Sequence, residues 1–358
     1  MNQPALGPVV VIGTGLLGAS VGAALTEFGE RVQLRDRIVS HARVAATLGA
    51  GSLVPIPEGE VKLVVVAVPP TALASVVAEA LLEYPSAVVT DVGSVKGTVL
   101  RQLAEHFGDV SLTRYVGCHP MAGSHLSGPV TARPDLFVDR TWAITPHREA
   151  TPEALDTVHR LGEACGGRVI FLDPDDHDAA VARISHLPHL MSVLMADHLL
   201  DVPREHLWLA GQGVRDVTRI AGSDPVLWEQ IITTNARALR PELEGVRERL
   251  NEVIEALDNP PSDRVRSVLE GARAGTRRIP GKHGAPLVDY AQVVVEIPDS
   301  PGALAKLFTD ISQAGVNIED VSIEHDPVRR VGSLSVAVDP ERRGELERLM
   351  REAGWFVG

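Results

Sequence analysis

Val9-Val10-Val11-Ile12-Gly13-Thr14-Gly15-Leu16-Leu17-Gly18 decides the reading of this chain. A β-branched apolar run stops at three glycines spaced G-x-G-x-x-G, and a helical pattern of small residues follows through Leu25. This is strand, tight turn and helix start, the opening of a dinucleotide-binding βαβ unit. Gly13 makes the turn, Gly15 admits the pyrophosphate close to the backbone, and Gly18 lets helix pack on strand. The phosphates belong at the helix N-terminus, where free N–H groups favour anions. A second strand, Arg31 to Leu34, leads to Asp36, placed to accept ribose hydroxyls and repel a 2′-phosphate. That predicts NAD over NADP, although Arg35 and Arg37 flank the carboxylate and soften the repulsion.

Outward from this motif, strands and helices alternate. Lys62 to Val68 is a nearly continuous apolar run, as in a strand buried on both faces, and it ends at Pro69-Pro70. Ala87 to Thr90, Thr141 to Thr145 and Arg168 to Leu172 read as further strands, and a helix from about Gly97 leads to Tyr115-Val116-Gly117-Cys118-His119-Pro120, where another strand ends before His119. The pattern predicts an α/β, Rossmann-type doubly wound sheet over residues 1–172. Ligands of such sheets sit beyond the carboxyl ends of the strands, which gathers Gly13 to Gly18, Pro69, Ser94 and His119 around one crevice.

At Asp173 the strand signals vanish. Residues 173–273 read as an all-helical substrate and dimerisation domain. Asp178 to Leu200 is apolar nearly all round, as in a buried helix, and Pro188 inside it must kink it or displace a backbone bond. Asp224-Pro225 marks a capped helix start, and Pro241 is expected to restart a helix. A block this apolar points to a second copy, hence a homodimer. Residues 274–288, with three glycines and two prolines, form a linker. Residues 289–358 follow a βαββαβ order, a small ferredoxin-like domain.

Composition bounds the partners. A net charge of −13 over 358 residues argues against nucleic acid or an anionic membrane. Two cysteines, Cys118 and Cys165, give no disulfide framework, which suits a reducing cytoplasm. Met1 to Gly7 carries neither a basic segment nor an apolar core, so no signal peptide is expected. No apolar run approaches the ~18 residues of a membrane span.

The chemistry-bearing residues cluster at the predicted crevice and on the apolar helix. His119 follows a strand and precedes Pro120-Met121-Ala122-Gly123-Ser124, where small residues leave room for a ligand; an imidazole there can take a proton near neutral pH. The bland alternative is a hydrogen-bonded structural histidine. Ser185 and His189 share a face of the apolar helix and must find partners, internal or bound. His119, His125 and His177 supply imidazoles enough for a metal, but none has helical zinc spacing, so no metal is expected. Arg215 and Arg219 lie one turn apart, with Asp216 placed to steady Arg219, whose guanidinium suits a carboxylate or an ordinary surface ion pair.

Together Gly13 to Gly18, Asp91-x-Gly93-Ser94-Val95-Lys96, residues 117–128, Ser185 to His189 and Asp216 to Trp228 resemble, in this order, the prephenate dehydrogenase family over roughly residues 8 to 260. The last segment, with Asp299 to Leu304 and Gly315 to Ile318, resembles an ACT domain, a small-molecule sensor. The resemblance implies a prephenate substrate oxidised and decarboxylated to 4-hydroxyphenylpyruvate, with NAD as cofactor, on the route to tyrosine. It implies His119 and Ser94 as catalytic residues. His189, Arg219, Ser185, His186 and His125 are the implied substrate contacts. Gly13, Gly15, Leu16, Leu17, Gly18, Asp36, Val68, Pro69 and Asp91 are the implied cofactor contacts. Asp299, Pro301, Gly302, Leu304, Val316, Asn317 and Ile318 are the implied amino-acid effector site, for tyrosine, against a bland reading in which the module only dimerises. His125 departs from the acidic residue often found in the family's G-x-x-x-S-G stretch, which bears on prephenate versus arogenate. Rival readings are an arogenate dehydrogenase, a 6-phosphogluconate-type enzyme and a non-catalytic nicotinamide sensor. The second uses a lysine base in its helical domain, and residues 173–260 contain none.

Overall fold

The computed structural model describes residues 5–123, 128–258, 263–279, 290–298, 300–326 and 331–358. Its contacts divide into two compact units, Met1–Asn251 and Glu252–Gly358.

The first unit opens with β1 (Val9–Ile12), α1 (Leu16–Glu27), β2 (Val32–Arg35), α2 (Val39–Thr47) and β3 (Leu63–Val66). Then come α3 (Leu73–Glu83), β4 (Val88–Asp91), α4 (Gly97–His106), β5 (Tyr115–Pro120), β6 (Thr141–Thr145), α5 (Pro152–Ala164) and β7 (Arg168–Phe171). The seven strands form one sheet in the order β2-β1-β3-β4-β5-β6-β7. All neighbours run parallel except β5 and β6, which pair antiparallel, with His119 opposite Ala143. The doubly wound expectation therefore holds with one reversed strand pair. The unbroken apolar runs are explained by two-sided burial: Val9, Val11, Leu63 and Val65 enter one core cluster, and Val10, Val64, Val66 and Val89 enter another. Since β1 is flanked by both β2 and β3, the chain reverses its direction of winding at β1, and the crevice opens beyond Ile12 and Val66.

The helical block begins with α6 (Pro174–Val181), capped by the Asp173 carboxylate accepting from Asp175 N–H. A π-helical turn, Ala182–His186, joins it to α7 (Leu187–His198). Pro188 explains that turn: it offers no N–H, and its ring clashes with an α-helical carbonyl four residues back. The displaced bond expected from the sequence is thus seen. The expected burial of the helix is not. Of α7 only His189 and Ser192 are buried within the chain, while Leu194, Met195 and the following Leu200 are exposed. Then follow α8 (Gln212–Thr218), α9 (Pro225–Thr234) and α10 (Ala236–Leu257). Asp224 caps α9 as expected, accepting from Val226 N–H at 2.9 Å. Pro241 does not restart the helix; α10 runs through it, forgoing one bond in its second turn.

The second unit holds α11 (Asp263–Thr276), then β8 (Ala291–Pro298), α12 (Ala303–Gln313), β9 (Asp320–Asp326), β10 (Val331–Val338), α13 (Arg343–Glu352) and β11 (Phe356–Val357). Its antiparallel sheet, ordered β11-β8-β10-β9, is the ferredoxin-like arrangement, with both crossover helices packed on one apolar face. Among the described residues no helix is long and apolar enough to cross a membrane.

The glycines of the first turn separate two physical demands. A β-carbon on Gly18 would overlap the Gly13 carbonyl oxygen and the Ala67 methyl, whereas one on Gly15 would meet nothing within 4 Å. Gly18→Ala is therefore expected to lower the melting temperature by several degrees, and Gly15→Ala to leave it within about 2 °C, in a thermal-shift measurement.

Candidate active site

The nucleotide end of the crevice is built from backbone. Gly13 turns with φ +95°, and a β-carbon there would strike the Ala67 carbonyl beside β3. Gly15 is the N-cap of α1 in an extended conformation, with no side-chain cap and no acidic residue in the first turn. The first N–H groups of α1 thus face open space, with the positive end of the helix dipole behind them. Leu16 and Leu17 are half-buried on that first turn, Val68 beyond β3 lies against Gly13, and Pro69 after it is exposed. Asp36, just past β2, takes Thr14 N–H and Thr14 Oγ1 on its Oδ2 at 2.7 and 2.8 Å, and Ile38 N–H on its Oδ1 at 2.7 Å. One acceptor direction stays open for a ribose hydroxyl. This cradle fits NAD.

Asp91 requires a correction. Its side chain has no exposed surface, and both oxygens are engaged: Oδ1 by Gly93 N–H at 2.8 Å and by the Lys96 ammonium, Oδ2 by the Tyr115 hydroxyl at 2.7 Å. It shapes the loop from beneath instead of touching a cofactor. Lys96, 2% exposed, also donates to the Cys118 carbonyl at 2.7 Å. One buried ammonium therefore ties the loop bearing Ser94 to the strand end bearing His119. Ser94 itself is half-buried.

His119 sits at the end of β5, and its Nδ1 lies 2.9 Å from His177 Nε2. His177 Nδ1 is in turn 3.0 Å from Asp178 Oδ1. Asp178 also accepts Lys96 N–H at 2.7 Å and Thr98 N–H at 3.1 Å, so it serves the N-terminus of α4 as well. A carboxylate can only accept, which sets the polarity of the chain. His177 donates Nδ1–H to Asp178, leaving Nε2 as acceptor. His119 then donates Nδ1–H to His177, and its own Nε2 carries the lone pair. Burial, with His177, Lys96 and His186 adding to it, pushes the His119 imidazole well below its ordinary value, so it is neutral at pH 7. A neutral imidazole with a free Nε2 is a proton acceptor. Cys118 is no nucleophile: burial pushes its thiol up to about 11.

The helical block adds a second cluster. His189 is stacked on Trp228, ring centroids 3.4 Å apart and 2° from parallel, and burial lowers its imidazole. His186 stands edge-on to the same indole, and its Nδ1 accepts from Asn235 Nδ2 at 3.0 Å. Asn235 also donates to the Asp178 carbonyl at 2.9 Å. At 2% exposure, with burial as the main cause, His186 is held down to about 4. Its place is therefore beneath the site, supporting Trp228, and not at a substrate surface. Ser185, His189 and Ser192 share one stripe of the helix, and the buried Ser192 hydroxyl has no protein partner among the described residues. Arg219 is exposed at the start of the turn Arg219–Gly222, which packs on α7. Asp216 does not steady it; that carboxylate accepts from Gln212 Nε2 at 2.8 Å. α9 packs on the turn Pro70–Ala72, with Thr71 Oγ1 donating to Gln230 Oε1 at 3.0 Å, so the helical block borders the nucleotide crevice. His125 and Asp299 lie outside the described residues.

Of the remaining expected effector residues, Gly302 is a left-handed N-cap of α12. Leu304 is partly exposed, and Pro301 lies in the exposed turn before the helix. Asn317 bonds Glu319 at 2.6 Å. Val316, 7% exposed, belongs to the sheet's core, and the partly buried Ile318 packs against it. Sequence reasoning missed His177, Asp178, Lys96 and Asn235 as members of the site. The signal available was the polar pair His177-Asp178 at the start of an otherwise apolar stretch.

Nucleotide cradle, polarised imidazole and helical second half define a nicotinamide-dependent dehydrogenase. Family models agree in detail: the prephenate dehydrogenase nucleotide-binding domain matches residues 21–171, the prephenate dehydrogenase dimerization domain residues 173–271, and the ACT domain residues 291–353. A probable prephenate dehydrogenase of Streptomyces niveus, NovF, is 32% identical over 97% of this chain and 98% of its own length. Among solved structures, the Aquifex aeolicus prephenate dehydrogenase in complex with hydroxyphenyl propionate and NAD+ has a TM-score of 0.66 at 27% identity, covering 75% of this chain and 96% of that one. The Synechocystis arogenate dehydrogenase has a TM-score of 0.64 at 27% identity, covering 75% and 98%. The chain belongs to the prephenate dehydrogenase family and is an NAD-dependent oxidoreductase.

Asp178→Asn replaces the acceptor at the end of the histidine chain with a group that can donate. kcat is expected to fall by roughly 10²-fold while the KM for NAD stays within about threefold. A loss under twofold in steady-state assays would remove Asp178 from the machinery.

Proposed function

We propose that this chain oxidatively decarboxylates prephenate to 4-hydroxyphenylpyruvate and CO2, with His119 as the proton acceptor. The observation that supports this most is the fixed polarity Asp178–His177–His119, which leaves a neutral Nε2 at the carboxyl end of β5. NAD+, when bound, supplies the hydride acceptor. His119 Nε2 takes or orients the proton of the substrate's ring hydroxyl as C4 gives up its hydride. The C1 carboxylate leaves as CO2, its electron pair completes the aromatic ring, and a proton taken by His119 returns to the phenolate oxygen of the product. As the imidazole gains charge, Asp178 stabilises it through His177. Ser94 holds the ring hydroxyl or the nicotinamide beside it. Arg219 anchors a substrate carboxylate, and His189, stacked on Trp228, meets the substrate's polar groups.

The working parts we assign are nucleotide binding in residues 1–172, substrate binding and pairing in 173–273, a linker over 274–288, whose first residues end α11 and whose residues 280–288 lie outside the described ones, and a regulatory module in 289–358. The chain works as a homodimer. Leu194, Met195, Leu200, Trp208 and Leu209 expose apolar surface within the helical block that a second copy covers. The ACT module binds tyrosine as feedback effector, through the loops at Pro301–Leu304 and Asn317. The enzyme acts in the cytoplasm.

NADH absorbance with prephenate, arogenate and 6-phosphogluconate, each with NAD and NADP, tests the activity. Prephenate with NAD is expected to give the highest kcat/KM; turnover of 6-phosphogluconate alone would overturn the reading. His119→Asn is expected to lower kcat by ~10²–10⁴-fold with NAD binding nearly intact. In the wild type, the acid limb of the kcat/KM profile should fall below the ordinary histidine value of about 6.5, because the lowered imidazole stays neutral to lower pH. Removing residues 285–358 should abolish inhibition by tyrosine; inhibition unchanged after truncation would place the effector elsewhere.

A further inference from the structure

Asp36 shares its cleft with a second charged cluster. The cleft, about 300 Å³, opens between the ends of β1 and β2 and one side of α3, and Ile12, Arg35, Asp36, Arg37, Glu79 and Glu83 line it. Arg35 is the last residue of β2, adjacent to the carboxylate that faces the ribose. Left alone, its guanidinium is the natural partner for a phosphate on that ribose. It is not left alone. Its Nη1 donates to Glu83 Oε1 at 2.6 Å and to the Tyr84 hydroxyl at 2.5 Å, both at the far end of α3. Glu83 neutralises it, and Tyr84, 3% exposed, fixes the second contact against the core. Arg37 is exposed on the same rim. With Arg35 drawn to the α3 wall, its charge is engaged by Glu83 and is not offered to a phosphate beside Asp36.

We propose that Glu83 and Tyr84 form a latch on Arg35, and that the latch, acting beside Asp36, sets discrimination against a dinucleotide bearing a 2′-phosphate. The proposal rests on the dinucleotide reading of this cleft. It differs from a role for Asp36 alone in one respect: opening the latch frees a cation without touching the ribose acceptor. The Arg35–Glu83 pair is partly exposed on both sides, so losing it costs the fold little.

The test uses the full-length enzyme carrying Glu83→Gln and Tyr84→Phe. Calorimetry measures the affinities for adenosine 2′,5′-bisphosphate and for 5′-AMP at fixed salt, a readout independent of turnover. Steady-state kinetics adds the ratio of kcat/KM with NADP to that with NAD. Both ratios are expected to rise about tenfold, as one charge-assisted contact to phosphate is gained. Adding Arg35→Gln should remove the gain, whereas Arg35→Gln in the otherwise unchanged enzyme should move the ratios less than twofold. Ratios that stay put in the latch variant overturn the proposal. So does a gain that survives Arg35→Gln and disappears with Arg37→Gln. Failure of the unaltered enzyme to bind either nucleotide would overturn the reading of the cleft itself, and the latch with it.

Discussion

A single buried carboxylate joins the two halves of the catalytic unit. Asp178, 2% exposed, is held by backbone N–H groups of Lys96 and Thr98 at the start of α4, and it holds the imidazole of His177. Its stability and its chemical effect have one origin. A buried anion needs donors on all sides, and here the donors come from the start of α4 in the nucleotide-binding half on one side and from the histidine chain on the other. Were Asp178 displaced, α4 would lose its N-terminal partner and His119 its orientation together.

Around that anchor the structure keeps its reactive groups on rigid supports. Ser94 lies in a loop closed by the buried Lys96–Asp91 pair, and His119 follows a carbonyl that the same ammonium grips. Breaking one partner of a buried pair is costly, so the loop and the strand end move as one piece. The helical block repeats the device with rings. Trp228 lies flat on His189 and edge-on to His186, which Asn235 fixes from behind. The π turn ahead of Pro188 sets the facing of that stripe, since an extra residue in one turn rotates everything after it.

The fold was legible because burial leaves a period in the sequence. Strands covered on both faces read as unbroken runs, as in Leu63–Val66, and the change of pattern at Asp173 marks the helical block. The glycine roles were legible too, because close backbone packing tolerates no side chain at Gly13 or Gly18. What stayed hidden depends on contacts across long stretches of chain. His177 reads as a stray imidazole until the fold brings it to His119, 58 residues away. Asp91, a cofactor contact by resemblance, is closed over by Lys96 and Tyr115. α7 reads as a core helix because it is apolar all round, yet within one chain only His189 and Ser192 of it are buried and Leu194 and Met195 are exposed. Pro241 reads as a break, and α10 absorbs it.

The central claim is the direction of the hydrogen bonds from Asp178 outward, and the ¹⁵N spectrum of the imidazoles reads it directly. In the full-length enzyme at pH 7, specifically labelled histidine should show His119 neutral, protonated at Nδ1 and bare at Nε2, with His177 in the same tautomer. An Nε2–H tautomer at His119, or an imidazolium there at that pH, would contradict the account.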